Sequence, residues 1–258
     1  MLNWLIQENI LDRNDEFKAE IEKQGMKCKI ADNLTIRVNP YTLFTPESSV
    51  IYRGSLDLLH NIDQCKWSPG ALCNRKDYNF SNYSSSLGEY LLNSKYHLLN
   101  INELNRRAKE LVEYYNTPFL FVKLDNGCQT FFESKIRDVR EITPNFGINL
   151  AVVAPPKTIT REWRFYVANK QAFTGSLYTE NKQKKFEEVS SGPVFDYANF
   201  IASEMGKDFV NEEIFVLDVC EHRGDLFVLE INCFSCSGVY ACNIPKIVAT
   251  AKEIFNWI

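Results

Sequence analysis

The stretch Ile214–Asn243 constrains this chain more than any other. Two apolar runs, Ile214–Val219 and Leu226–Ile231, flank the turn signal Arg223-Gly224-Asp225, which predicts an antiparallel hairpin. Asp218 is expected near the end of the first strand and Glu230 near the end of the second. Side chains alternate along a strand, so Glu230 and Asn232 share one face while Ile231 points into the core. Acids in Val/Leu/Ile-rich strands are costly unless something satisfies them. A hard divalent cation such as Mg²⁺ takes carboxylate and amide oxygens of this kind. A lone Glu-x-Asn is usually a solvated sheet edge. Here the small-residue segment FSCSGVY follows directly, a loop that a substrate can approach closely, which makes Asp218, Glu230 and Asn232 a candidate metal set.

With 258 residues the chain can bury one large core or two or three smaller ones. Its net charge of −4 argues against a broad nucleic-acid-binding surface. No apolar run approaches the roughly 20 residues of a membrane helix. The opening MLNWLIQENILDRNDE lacks the basic segment of a signal peptide, so a cytoplasmic protein with no membrane partner is expected. Eight scattered cysteines favour reduced thiols over a disulfide framework. Cys233-x-x-Cys236 has no second CxxC or clustered His to complete it and reads as small buried or loop residues.

From the N-terminus, strand patterns at Met1–Gln7 and Lys27–Ala31 flank a helical pattern at Asp12–Gln24, a β-α-β opening of the open α/β kind. Ser49–Tyr52 is a third strand, and Arg53-Gly54-Ser55 turns from it into a helical pattern at Leu56–Ile62. Cys65–Ser86 reads as irregular cover, and a clear amphipathic helix spans Asn102–Tyr115. Phe119–Leu124 is a buried-type strand carrying one cation, Lys123; Asp125-Asn126-Gly127 turns from it, and Gln129–Ser134 leads back. A lysine in such a run either snorkels from an edge or faces an anion such as a nucleotide phosphate. Asn149–Ala154 ends at Pro155-Pro156, which is expected to free backbone groups for an adenine edge. In Arg161–Val167, Glu162, Arg164 and Tyr166 share one face, and Trp163, Phe165 and Val167 the other. A return strand at Lys170–Tyr178, a mobile polar link at Thr179–Val189, a helix at Phe195–Met205 and a closing helix at Ile244–Trp257 complete the order.

Lys123, the Val152–Pro155 hinge, Glu162-x-Arg164, Asp218 and Glu230-x-Asn232, taken in this order, resemble the ATP-grasp superfamily of ATP-dependent ligases. Within it, the strand Glu162-Trp163-Arg164-Phe165 and the segment Ser237-Gly238-Val239-Tyr240 resemble a compact phage and bacterial branch with an E-x-R-F strand. The resemblance implies an α/β (α+β) fold: a pre-ATP-grasp domain at 1–95, then an ATP-grasp domain at 96–258. Subdomains of about 96–154 and 155–258 would clasp the nucleotide between them. It implies that Lys123 binds ATP phosphates, that Val152, Val153 and Ala154 hold adenine through the backbone, and that Glu162 reaches the ribose. Asp218, Glu230 and Asn232 would ligate Mg²⁺, with Asp218 also facing the nucleotide, and Arg164 would act with Lys123 on the phosphoryl group in flight. Lys95 is the nearest match to a further phosphate-binding lysine, and Ser235, Ser237 and Gly238 are the candidate substrate contacts.

The hinge lacks the acid that many relatives carry there, and the loop Asp125–Thr130 has one glycine where a long glycine-rich lid would have more. The implied activity is ATP- and Mg²⁺-dependent joining of a carboxylate to an amine through an acyl phosphate, on an amino acid, peptide or protein substrate. A regulatory ATP-binding module without ligase activity and a nucleotidyl or phosphoryl transferase are the alternatives.

Overall fold

The computed structural model describes residues 1–127, 135–138, 150–205 and 212–255. These described residues form three sheets. The first is parallel, with strands β1 (Asn3–Gln7), β2 (Lys27–Ala31), β3 (Ser49–Arg53) and β4 (Ser68–Gly70) in the order β2-β1-β3-β4. Helices α1 (Asn14–Lys23), α2 (Asn33–Val38) and α3 (Leu59–Asp63) connect these strands. A side-chain cap starts α2, where Asp32 accepts from the Thr35 backbone N–H at 2.7 Å. The irregular cover expected at Cys65–Ser86 is instead β4 followed by α4 (Phe80–Leu87), whose Phe80, Tyr83 and Leu87 are buried. Gly54 is required at the end of β3, because a Cβ there would lie 2.2 Å from the Tyr52 hydroxyl.

The second sheet is antiparallel, in the order β5-β8-β6-β7: β5 (His97–Asn100), β6 (Phe119–Leu124), β7 (Lys135–Asp138) and β8 (Leu150–Ala154). Helix α5 (Ile101–Tyr115) buries Leu104 and Leu111 against its Leu120, Ala151 and Val153. The return strand after β6 is Lys135–Asp138, and residues 128–134, where Gln129–Ser134 is expected from sequence, lie outside the described residues.

The third sheet has the order β11-β10-β9-β12-β13: β9 (Arg161–Ala168), β10 (Gln171–Glu180), β11 (Gln183–Val189), β12 (Ile214–His222) and β13 (Asp225–Cys233). The mobile link expected at Thr179–Val189 is thus mostly strand β11. It is a lysine- and glutamate-rich edge, so its exposed faces carry no apolar period to read. One face of this sheet, with Trp163, Phe165, Leu217 and Val219, packs on α4 and on α6 (Pro193–Glu204). The other face carries Tyr166, Ile214 and Val216 into a core shared with Trp4 of β1, Phe17 of α1 and Ile247 of α7 (Ile244–Phe255). The first and third sheets are therefore welded through one apolar cluster, in which the closing helix takes part.

Phe234 sits at that weld, 1% exposed, with its ring 6.1 Å from Trp4 and 5.8 Å from Tyr166. Phe234→Ala is expected to cost about 3–5 kcal/mol of unfolding free energy, measured by urea denaturation; a loss below about 1 kcal/mol would show that the two sheets do not share this core.

Candidate active site

Pairing across the third sheet sets the site. Arg164 on β9 stands opposite Asp218 on β12, and Asp218 stands opposite Glu230 on β13, so the three side chains form one row. The acids lie inside their strands rather than near the ends, because β12 runs on to His222 and β13 to Cys233. The register slips after Asp218, leaving Leu229 as an extra residue on β13, and a second slip leaves Tyr178 extra on β10 beside Glu162. Bulges of this kind bend a strand and re-aim its side chains.

Arg164 grips Asp218 with two hydrogen bonds, Nε to Oδ1 at 2.9 Å and Nη2 to Oδ2 at 2.7 Å. Asp218 is 1% exposed. Lys123 reaches from β6 of the second sheet and pairs with Glu230 Oε2. Asn232 links the two acids, its amide donating to Asp218 Oδ2 and Glu230 Oε1, each at 3.0 Å. The sequence-derived residues Lys123, Arg164, Asp218, Glu230 and Asn232 therefore meet in one network between two sheets. Burial raises the Asp218 carboxyl above its ordinary value, opposed by Arg164. Burial would raise Glu230 too, but the Lys123 ammonium and the Asn232 amide outweigh it and hold that carboxyl low. Glu162 accepts from the Tyr178 hydroxyl at 2.9 Å, and burial raises its carboxyl.

Two expected features lie elsewhere. The strand does not loosen before its prolines: Val152 and Val153 pair with β5 and β6 on both sides, and Ala154 still pairs with Phe121. The Val153 carbonyl also accepts from the Tyr115 hydroxyl at 3.2 Å. Backbone groups outside the ladder begin only at 155–157, since the prolines follow the strand rather than interrupt it. Ser235 and Ser237 do not present their hydroxyls to the cleft. The Ser235 hydroxyl accepts from the Leu72 N–H at 2.9 Å, and the Ser237 hydroxyl donates to the Cys233 carbonyl at 2.6 Å. Gly238 does reach the site, its carbonyl accepting from Arg164 Nη1 at 3.2 Å.

Residues that the sequence does not assign to the site surround it. Asp12 accepts from the backbone N–H groups of Val239 and Tyr240, at 2.8 and 2.6 Å, and so holds the loop after β13. Arg53, 1% exposed, donates to the Ser237 carbonyl at 2.8 Å. Tyr240 stacks between Tyr178 and Phe186, with centroid distances of 4.8 and 5.5 Å, and the Arg164 guanidinium lies 5.0 Å from its ring. Nothing local in the sequence joins residues so far apart.

Lys95 is exposed, and the cation half-buried beside the hinge is Lys157, which donates to Asn93 Oδ1 at 3.0 Å. Burial pushes the Lys157 ammonium down to about 8. The unfolded chain keeps that proton to about 10.4, so between these values the unfolded state binds more protons and this group's contribution to stability rises with pH. The stability difference between wild type and Lys157→Met is therefore expected to shift in favour of wild type from pH 8 to pH 10.5 in parallel denaturant titrations; a difference constant across that window would contradict the buried placement.

No helix among the described residues is long and apolar enough to cross a membrane. No curated protein matches the sequence. Solved structures match its fold over nearly the whole chain. An ATP-grasp ligase associated with ribosomally made peptides from Chryseobacterium gregarium, solved with ADP and a leader and core peptide, aligns with TM-score 0.59 at 10% identity, covering 99% of this chain and 97% of that one. The macrocyclase MdnC of Microcystis aeruginosa, bound to the precursor peptide MdnA, aligns with TM-score 0.55 at 14% identity, covering 90% and 91%. The ATP-grasp ligase PsnB, solved with a minimal precursor, Mg and ADP, aligns with TM-score 0.51 at 9% identity, covering 97% and 98%. A family model of the ATP-grasp domain, family 3 of its clade, matches residues 86–251, which is more than half of the sequence, and the chain belongs to that ATP-grasp family.

Proposed function

We propose that this protein is an ATP- and Mg²⁺-dependent ligase that joins a carboxylate to an amine. The observation that carries the reading is the alternating network Lys123–Glu230–Asn232–Asp218–Arg164 between the second and third sheets. It pairs two cations suited to phosphate oxygens with a donor set of carboxylates and an amide suited to a hard cation. Asp218, Glu230 and Asn232 would hold Mg²⁺, the Asn232 amide turning its oxygen inward; an amide's two ends differ little in shape. Bound there, the ion supplies neutralisation of phosphate charge. Lys123 and Arg164 take the γ-phosphate oxygens, Glu162 the ribose hydroxyls, and the free backbone at 155–157 the adenine edge.

A substrate carboxylate oxygen attacks the γ-phosphorus, the bond to ADP breaks, and an acyl phosphate forms. An amine then attacks the acyl carbon, phosphate leaves, and the amine proton passes to solvent. Positioning and electrostatics lower this barrier, so no protein nucleophile is needed. A peptide or protein is the favoured source of one substrate, because the solved proteins of this fold include ligases holding precursor peptides. The 1–95 unit and the loop around Gly238 would select it.

ADP release in the presence of Mg²⁺ and pooled carboxylates and amines, followed by mass spectrometry of the products, tests the proposal. Turnover requiring both substrates, with product mass equal to their sum less one water, is expected. Glu230→Gln is expected to lower it at least 100-fold, about 2.7 kcal/mol. ATP binding without ADP in any pool, or a Glu230→Gln variant with full turnover, would contradict ligation at this site.

A further inference from the structure

Three thiols that the sequence keeps apart meet in the fold. Cys233 ends β13, Cys236 lies in the loop after it, and Cys73 comes from the segment after β4. Their sulfurs all lie within 4.8 Å of one another, and none is in a disulfide. Among the described residues this is the only cluster of three or more cysteine, histidine or acid side chains close enough to hold a metal ion. Zinc bound at about 2.3 Å by sulfur sets neighbouring sulfurs about 3.8 Å apart at the tetrahedral angle, which side-chain rotation can reach from the observed spacing.

The surroundings favour a soft cation over the Mg²⁺ of the proposed nucleotide site. Thiolates select zinc and similar ions, whereas oxygens select magnesium. Alternation along β13 puts Cys233 on the face opposite Asn232, so the two donor sets do not compete for one ion. Cys73 also lines a cleft with His60, Asn74 and Glu212. The Glu212 carboxylate accepts from the Asn74 N–H and the Tyr78 hydroxyl and is not among the clustered ligand atoms, so a water molecule entering from that cleft would complete four-coordination. Cys73 and Cys236 pack against both the core of the first sheet and the core under the third, so an ion here ties the two together.

We propose that Cys73, Cys233 and Cys236 form a thiolate site for a soft divalent cation, zinc by its coordination preference, that fastens the first sheet to the last hairpin. Each thiol that ligates loses its proton to solvent. The inference is independent of the ligase reading, because its readout is metal binding.

The test is titration of the full chain, purified reduced and metal-free, with Co²⁺ and then Zn²⁺. One Co²⁺ per chain, with intense sulfur-to-cobalt absorption that one equivalent of Zn²⁺ bleaches, is expected. Cys73→Ser and Cys236→Ser are each expected to lose that absorption, while Cys28→Ser keeps it. Should a serine variant fail to fold, alkylation of the wild type followed by peptide mass spectrometry decides: zinc is expected to protect Cys73, Cys233 and Cys236 but not Cys28. Absence of the absorption, its survival in a folded Cys73→Ser variant, equal alkylation with and without zinc, or a non-reduced chain two hydrogens lighter through a disulfide among the three would overturn the proposal.

Discussion

Two cations and two acids, interleaved across two sheets, dominate this structure: Arg164 and Asp218 are buried, and Lys123 and Glu230 are largely shielded from solvent. Opposite unit charges about 4 Å apart attract by on the order of 4 kcal/mol at an effective dielectric near 20. Removing one partner leaves an uncompensated charge that costs about 3–5 kcal/mol. The pairs therefore hold each other until a competing charge arrives, and neither Lys123 nor Arg164 is available to an anion unless its acid is neutralised in another way. Under the proposed function, a divalent cation held at Asp218 and Glu230 would do this, releasing both positive groups together. On this account the ion and the triphosphate enter as mutual conditions, each providing the charge the other's ligands lose.

The rest of the fold keeps that row in place. The apolar half of the β9–β12 face welds the third sheet to β1, α1 and α7, while the polar half meets Lys123 of the second sheet. Glu162 shares a face with the row by alternation along β9, while Leu229 and Tyr178 are extra residues that bend the neighbouring ladders beside it. The loop after β13 is held from the N-terminal unit by Asp12 and Arg53, and Tyr240, at φ 52°, is pressed into its ring stack beside Arg164. That backbone conformation is uncommon for a bulky residue and persists where surrounding contacts enforce it. The first sheet thus shapes the site without supplying its main charges.

Much of this is legible in the sequence because it rests on short-range signals. The hairpin, the β9 alternation and the lone lysine of β6 follow from period-two patterning and from the cost of charge in apolar runs. Sequence misplaces the strand ends because an acid such as Asp218 reads as a stop, whereas it sits comfortably mid-strand when an arginine stands opposite it. The prolines alone suggest a free backbone at Val152–Ala154, but its neighbours β5 and β6 are set by tertiary pairing. Ser235 and Ser237 resemble substrate contacts because small polar residues suit such loops, and only the fold shows their hydroxyls spent on Leu72 and Cys233. Edge strand β11, the burial of Lys157, the reach of Asp12 to Tyr240 and the approach of Cys73 to Cys233 leave no local trace.

Calorimetric titration of the protein with ATP, once with excess Mg²⁺ and once with a chelator, tests the mutual-condition account most directly. Affinity at least tenfold higher with Mg²⁺, a difference of about 1.4 kcal/mol, is the expected result, since ATP alone must break both ion pairs without compensation. Equal affinities in the two titrations would show that the nucleotide binds without displacing Lys123 from Glu230 or Arg164 from Asp218, and the central claim would fail.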